Sequence, residues 1–313
     1  MRTILLGNGL NRISYDASWS GLVHTIDEDF KKIDGVDYLL EDKIPNTIQF
    51  NSRLIKAWKK SGTNTFNLLD SNKNLKLIIK EELKKYSPIS LHQQLLSTHP
   101  QHIITTNYDY VINKAIEAVG FYSSYNIDDS YQEQKYSIRR CKKYFHNNKR
   151  DNITVWNIHG ELNYINSIML GYDHYCNTIG LIDDYLNGSY KYNKRLRKSQ
   201  SMTDKILNNG EEVLSWIDLF FFSDIHILGF GFGYEELDLW YVLMKRKELQ
   251  TQLGKDKINN KIYFYNRGTK NGKRELLELY DIQVIETEAT PIGKDYSPVY
   301  EDLIKKMGKN IKS

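Results

Sequence analysis

The chain has 313 residues, 40% of them hydrophobic and 26% charged, so it is long enough to bury a large core and is not typical of disordered proteins. The net charge of +4 is mild, and lysine-rich runs such as residues 191–198 are more typical of solvated faces than of a nucleic-acid groove, so we expect no nucleic-acid contact. Two cysteines cannot form a four-cysteine zinc site and no apolar run could span a bilayer, so we expect a zinc-free, cytoplasmic protein without membrane contacts.

The first half of the chain alternates between short apolar runs and segments with helical spacing. In chain order we predict a strand at residues 3–6, a helix at 21–26 capped by Ser18 or Ser20, helices at 75–85 and 90–96, and a strand from His102 that leads into a helix near Glu117. Residues 36–70 show little periodicity, and residues 121–150 are polar and irregular.

The second half has a clearer alternation. We predict a strand at residues 153–158, a mostly helical stretch at 171–222, and then strand, helix, strand, helix and strand at 225–228, 235–249, 261–265, 273–280 and 282–285. Strands that alternate with helices predict an α/β fold with a doubly wound, Rossmann-like parallel sheet. We expect one domain over residues 1–313, with helical elaborations at about 36–96 and 171–222.

Polar or glycine-rich residues follow several of these strands, where open α/β sheets bind ligands. Gly7 and Gly9 after the first strand would let backbone amides approach a phosphate, but a plain tight turn explains them about as well. Arg12 stands where the dinucleotide fingerprint needs its third glycine, which argues against a conventional dehydrogenase. The loop Gly229–Gly233 has three glycines between a strand and a helix, which favours close approach of a ligand.

A second polar cluster, Thr105 to Asp109, follows the strand that begins at His102. Asn107 or Asp109 could cap the next helix, but one helix needs only one such cap. The carboxamide of Asn107 can both donate and accept hydrogen bonds, which suits a ribose hydroxyl or a water. His159, which precedes Gly160 at another strand end, is either a structural residue or a base for proton transfer near neutral pH.

In this order the glycine-rich elements resemble those of the sirtuin-like (SIR2) superfamily. Gly7, Gly9 and Asn11 align with the Gly-Ala-Gly-x-Ser loop of that family. Gly229 and Gly231 fall where the family turns against a ribose of NAD. The resemblance implies that these residues bind NAD, with the first three at its pyrophosphate.

The polar elements resemble the same superfamily. Asn107 and Asp109 match its Thr-Gln-Asn-x-Asp element, with Thr106 in place of the glutamine, and His159 matches its His-Gly catalytic base. The resemblance implies that Asn107 and His159 are catalytic and that Thr106 and Asp109 contact NAD. We expect Asn107 to hold the ribose or the attacking water, and His159, in its neutral form, to activate that water.

Deacylases of this superfamily carry a four-cysteine zinc module, which this chain cannot supply. The chain is more similar to zinc-free bacterial anti-phage members, which implies hydrolysis of NAD to ADP-ribose and nicotinamide in abortive infection. Such an activity needs gating, so we expect a homo-oligomer, a separate sensor or activator protein from a defence operon, or a nucleotide signal. The alternative is a catalytically silent nucleotide-binding or sensor subunit of a defence complex.

A last cluster of polar and aromatic residues, Tyr172 to Tyr175, includes a second histidine. Its potential partners lack the spacing of metal ligands, so we expect His174 to pack within the helical layer and expect no metal site.

Overall fold

The fold is taken from a computed structural model that describes residues 1–13, 44–61, 68–123, 136–146, 152–192, 197–208, 210 and 212–312. The helix predicted at residues 21–26 lies outside these ranges. Among the described residues, no helix is both long and apolar enough to cross a membrane.

The described strands are β1 (Arg2–Leu6), β2 (His102–Thr105), β3 (Phe121–Ser123), β4 (Cys141–His146), β5 (Asn152–Asn157), β6 (Lys191–Tyr192), β7 (Arg197–Lys198), β8 (Asp224–Leu228), β9 (Ile262–Asn266) and β10 (Ile282–Glu286). Eight of them form one sheet in the order β10-β9-β8-β1-β2-β5-β4-β3, while β6 and β7 pair separately.

The strands from β10 to β5 run parallel, and β4 and β3 extend the sheet as an antiparallel edge. In chain order the parallel strands have the arrangement 3-2-1-4-5-6 of Rossmann dinucleotide-binding folds. Leu6 at the end of β1 lies beside Thr105 of β2 and Leu228 of β8, so the loops after these three strands begin at the same level. The chain reverses its direction across the sheet between β1 and β8, and ligands bind at such switch points.

The described helices are α1 (Asn46–Ser61), α2 (Leu68–Leu83), α3 (Ser90–Leu96), α4 (Val111–Ala118), α5 (Tyr172–Leu186), α6 (Met202–Leu207), α7 (Trp216–Phe222), α8 (Leu237–Leu253), α9 (Asn271–Leu279) and α10 (Ser297–Lys312). Short 3₁₀ turns occur at Asn11–Ile13 and Ile165–Ser167.

Both faces of the sheet are buried. In β1, Leu5 belongs to one hydrophobic cluster, whereas Ile4 and Leu6 belong to the cluster on the opposite face. This is why residues 4–6 of β1 are a continuous apolar run rather than an alternating one. A third cluster joins α1 and α2 to Tyr108 after β2 and to Leu162 after β5, and it places these two helices beside the strand ends.

The predicted α/β, Rossmann-like fold is therefore confirmed, as are all the strands predicted from the apolar runs. The stretch described as irregular, 121–150, instead contains β3 and β4, of whose residues Tyr144 alone is buried, which is why polar residues are tolerated there. The largely helical stretch 171–222 also contains the short β6–β7 pair, and α10 was not predicted.

Candidate active site

A cleft of about 570 Å³ lies at the carboxyl ends of the parallel strands. Residues that follow β1, β2, β5, β8 and β9 line it, together with Tyr296 and Tyr300 near the start of α10. The predicted site residues that line the cleft are Gly9, Thr106, Asn107, Asp109, His159, Gly229 and Gly231. Gly7 and Asn11 are buried and do not line it. The topology thus brings four separated segments of the chain to one place.

His159 occupies a fixed position two residues beyond β5. Its carbonyl oxygen accepts a hydrogen bond from the Met169 amide at 2.9 Å. Gly160 turns the chain with φ +100°, and a Cβ at this position would collide with the backbone of Ser167. Only glycine fits that turn, so the glycine of the His-Gly pair serves to aim the histidine.

The imidazole of His159 forms a buried pair with a carboxylate from α8. Its Nε2 lies 2.9 Å from Oδ2 of Asp238, and the two residues are 3% and 0% exposed. Since an ionised carboxylate accepts, Nε2 carries the proton and donates it. Within the described residues Nδ1 has no hydrogen-bond partner, so Nδ1 is the nitrogen that can accept a proton.

A second carboxylate lies close to the same imidazole. Oε2 of Glu236 is 3.9 Å from His159 Nε2. Burial lowers the pKa of His159, but the charge and hydrogen bond of Asp238, with the charge of Glu236, outweigh burial and raise the pKa above its ordinary value. Burial raises the pKa of Glu236 to about 7, partly offset by the charge of His159.

Aromatic side chains enclose this pair of carboxylates and the imidazole. The ring of Tyr175, from α5, lies edge-on to His159 with 5.3 Å between centroids. Tyr175 also hydrogen-bonds Glu236, while the hydroxyl of Tyr108 donates to the Met169 carbonyl. Surroundings of this kind exclude water and strengthen the electrostatic interactions inside them.

Asn107 lies in the cleft at the end of β2. Its amide N–H donates to Oγ1 of Thr105 at 3.1 Å, and its side-chain nitrogen donates to the carbonyl of Gly7 at 3.3 Å. The side-chain nitrogen of Asn157 donates weakly to the backbone oxygen of Asn107 at 3.5 Å. The loops after β1, β2 and β5 are thus joined at Asn107, which lies among the cleft-lining residues as expected.

Asp109 and Asn11 hold the loops together behind the cleft. Asp109 Oδ1 accepts from the Val111 amide at 2.8 Å, which confirms the helix-capping interpretation, and its Oδ2 accepts from Asn11 Nδ2 at 2.9 Å. His92 Nδ1 accepts from the Ile89 amide, so its Nε2 donates to Asn11 Oδ1 at 3.1 Å. Asn11, 3% exposed, therefore joins the β1 loop to α3 and α4 instead of facing a pyrophosphate.

Contacts between two loops explain the glycines after β1. The amides of Gly7 and Gly9 donate to the carbonyls of Leu228 and Gly229, at 3.1 and 2.7 Å. A Cβ on Gly9 would collide with Tyr300 and lie 2.7 Å from the Gly229 Cα. These two amides are therefore already bonded within the protein, and close packing requires the glycines without any ligand.

The loop between β8 and α8 is different. Gly229 has φ +63°, which requires glycine or a strained residue. A Cβ on Gly231, by contrast, would meet no atom within 4 Å. Lys273 of α9 donates to the carbonyls of Gly231 and Phe232 and holds the loop in place. Gly231 thus lines the cleft with no packing reason to be glycine, which favours approach of a ligand there.

Sequence reasoning missed several charged residues of the cleft. Glu236 and Arg267 line the cleft, and Asp238 lies buried behind it against His159, but the sequence predicts only a helix from residue 235 and assigns no role to these side chains. A usable signal was the run Glu235 to Asp238, in which three of four residues are acidic. One acidic residue near the N-terminus is enough to stabilise a helix through its dipole, so the others call for another role. Arg12 and Arg267 are exposed cations lining the cleft and suit a diphosphate.

The donor atoms of His159, Glu236 and Asp238 lie within 4.8 Å of one another, a spacing that a metal ion could also use. His174, the other histidine considered, instead accepts from the amides of Leu170 and Gly171 at the start of α5, and it packs against Tyr136.

No family model matches this chain, and no curated protein matches it.

Proposed function

We propose that the chain hydrolyses the N-glycosidic bond between nicotinamide and ribose in NAD. The observation that carries this proposal is the His159–Asp238 pair, which lies at a cleft on the switch point of a sheet with Rossmann strand order. From β5 to β9 the sheet has four strand spacings, or about 19 Å, a width that suits an extended dinucleotide.

In the proposed reaction, water attacks the anomeric carbon of the nicotinamide ribose. The carbon–nitrogen bond breaks, and its electron pair goes to the nicotinamide nitrogen. The water proton goes to Nδ1 of His159, while Asp238 keeps its hydrogen bond to Nε2 and stabilises the imidazolium that forms. The products are ADP-ribose, nicotinamide and one proton, as the balance of atoms requires.

Asn107 and the arginines would position the substrate for this step. The Asn107 carboxamide can hold a ribose hydroxyl or the attacking water, since it both donates and accepts. Arg12 and Arg267 would bind the diphosphate, which the amides of Gly7 and Gly9 cannot do while they are bonded to Leu228 and Gly229. Positioning of this kind accounts for much of the catalysis of a reaction with a good leaving group.

The biological setting of the proposal rests on the SIR2 resemblance alone. An NAD hydrolase without restraint would deplete its own cell, so we propose a gated effector of anti-phage defence. The gate would be homo-oligomerisation, a separate activator protein or a nucleotide signal.

The test is whether protein incubated with NAD produces ADP-ribose and nicotinamide in equal amounts. An acyl-lysine peptide should leave the products unchanged, because deacylation would instead produce O-acyl-ADP-ribose. NAD that binds without cleavage under every activating condition would favour the silent nucleotide-binding alternative.

A further inference from the structure

The acidic end of the cleft carries more negative charge than its own cations can neutralise. Glu236 and Asp238 are two carboxylates, and His159 is the one cation in an ion pair with either of them among the described residues. The other titratable groups that face them are the phenols of Tyr108 and Tyr175, and Glu235, which adds no positive charge. One buried negative charge therefore remains without a partner.

Glu236 carries that charge once the pH is above its pKa of about 7. Oε2 of Glu236 and Oδ1 of Asp238 are buried, and neither has a hydrogen-bond partner in the described part of the chain. Asp238 already accepts from His159 through its other oxygen, whereas Glu236 is 3.9 Å from that imidazole and lines the cleft. An unpaired buried carboxylate is costly unless a positive group approaches it.

We propose that Glu236 recognises the positive charge on the nicotinamide end of the substrate, so that the cleft selects oxidised, cationic dinucleotides over reduced, neutral ones. This inference rests on the proposed NAD hydrolysis. The nicotinamide ring of NAD carries a full positive charge, and this charge spreads to the ribose as the bond breaks. A fixed carboxylate beside that ribose stabilises the transition state without having to reorganise.

A divalent metal ion could occupy the same site instead. The ligand atoms of His159, Glu236 and Asp238 lie close enough together to bind one. However, His159 Nε2 already donates to Asp238 Oδ2 at 2.9 Å, so a metal would have to displace that proton and break the pair. The cationic substrate needs no such change, because it approaches Oε2 of Glu236, which accepts no hydrogen bond within the described residues.

The test compares the binding of NAD, NADH and ADP-ribose by calorimetry in an Asn107→Ala background, which prevents turnover and retains His159, Glu236 and Asp238. We expect NAD to bind at least about tenfold more tightly than NADH, and Glu236→Gln to reduce this ratio to about twofold or less. ADP-ribose, which lacks the pyridinium, should bind equally to both proteins. Glu248→Gln, at the exposed side of α8, is the matched control and should keep the parental ratio.

The inference is overturned if Glu236→Gln keeps the parental NAD/NADH ratio, or if ADP-ribose binding weakens by the same factor as NAD binding. It is also overturned if MnCl₂ or ZnCl₂ binds the parent stoichiometrically and Glu236→Gln abolishes that binding, since the occupant is then a metal. Failure of the wild-type protein to cleave NAD, with the ratio still dependent on Glu236, would overturn the hydrolase alone. Absence of binding by all three nucleotides would overturn both.

Discussion

Nε2 of His159 lies 2.9 Å from Oδ2 of Asp238, although 79 positions separate the two residues in the chain. The hydrogen bond fixes the orientation of the imidazole and leaves Nδ1 as the nitrogen that can accept a proton. A lone histidine after a strand has no defined chemistry, whereas a histidine paired with a buried carboxylate has both a defined tautomer and a stabilised cation. The catalytic account therefore depends on this pair.

The substitution Asp238→Asn should lower kcat for NAD hydrolysis about 10²- to 10⁴-fold, because the amide no longer stabilises the imidazolium. The pH profile should change as well. In the wild type, activity should rise with pH through the raised pKa of His159, since the base form is the active one. Without the Asp238 carboxylate that pKa falls, so the acidic limb of the kcat/KM profile should move to lower pH.

Asp256→Asn, in the exposed turn after α8, is the control for this experiment and should leave both rate and profile unchanged. A purely structural role of Asp238 would lower the amount of folded protein without moving the acidic limb. An unmoved limb in a variant with a wild-type circular dichroism spectrum would therefore contradict the catalytic pair.

Asn11→Ala should destabilise the protein by about 2–4 kcal/mol, because it leaves Asp109 Oδ2 and His92 Nε2 buried without partners. The measurement is the free energy of unfolding in urea. Asn8→Ala removes the hydrogen bond that Asn8 Oδ1 accepts from Asn11 Nδ2 at a half-buried position, and it should cost less than Asn11→Ala, about 1 kcal/mol. An equal loss of unfolding free energy in the two variants would show that the hydrogen bonds of Asn11 do not hold the loops together.

Alanine substitutions at two glycines that line the cleft should affect different properties, stability in one case and substrate binding in the other. Gly9→Ala places a Cβ against Tyr300 and Gly229, so the melting temperature should fall by several degrees. Gly231→Ala finds open space, so the melting temperature should stay unchanged while KM for NAD rises and kcat does not. An unchanged KM in Gly231→Ala would indicate that no ligand approaches this loop.

His226, buried in β8 and stacked against the rings of Tyr263 and Tyr265, should make the fold sensitive to acid. Burial lowers its pKa from 6.5 to about 4, so the unfolded chain binds a proton more readily between these values. Its contribution is therefore fully present above pH 6.5 and is lost as the pH falls towards 4, by about 2 kcal/mol between pH 7.5 and 5.

His226→Phe keeps an aromatic ring against the two tyrosines but cannot be protonated. The difference in unfolding free energy between pH 7.5 and 5 should thus shrink by about 2 kcal/mol relative to wild type. His92 and His102, whose pKa values burial also lowers, should account for part of the acid sensitivity that remains. If the unfolding free energy of His226→Phe changes between pH 7.5 and 5 by the same amount as that of the wild type, His226 does not contribute to the acid sensitivity.

Apolar runs and glycine turns were sufficient to predict where the parallel strands occur along the chain and that helices alternate with them. They did so because a parallel strand buried on both faces has no polar alternation to obscure it, as residues 4–6 of β1 show. The antiparallel strands β3 and β4 were missed because their residues are mostly not buried, so polar residues such as Lys142 and Lys143 of β4 are tolerated there. Local pattern therefore predicts the centre of the sheet better than its rim.

The site could be predicted only where its chemistry is local in the chain. Asn107 and His159 follow strands directly, and both line the cleft. Asp238 could not be assigned to His159, because their pairing depends on how α8 packs over the sheet. Asn11 has the same side chain in either role, and only its burial against Asp109 and His92 distinguishes a structural residue from one that binds a ligand.

The central claim is tested most directly by incubating purified wild-type protein and His159→Ala with NAD, each alone and with lysate from phage-infected cells, and quantifying ADP-ribose and nicotinamide. The account predicts equimolar products from the wild type in at least one condition, and at least about a 10²-fold lower rate from His159→Ala that is still folded by circular dichroism. Equal product from both proteins would contradict it, because His159 would then have no part in the reaction.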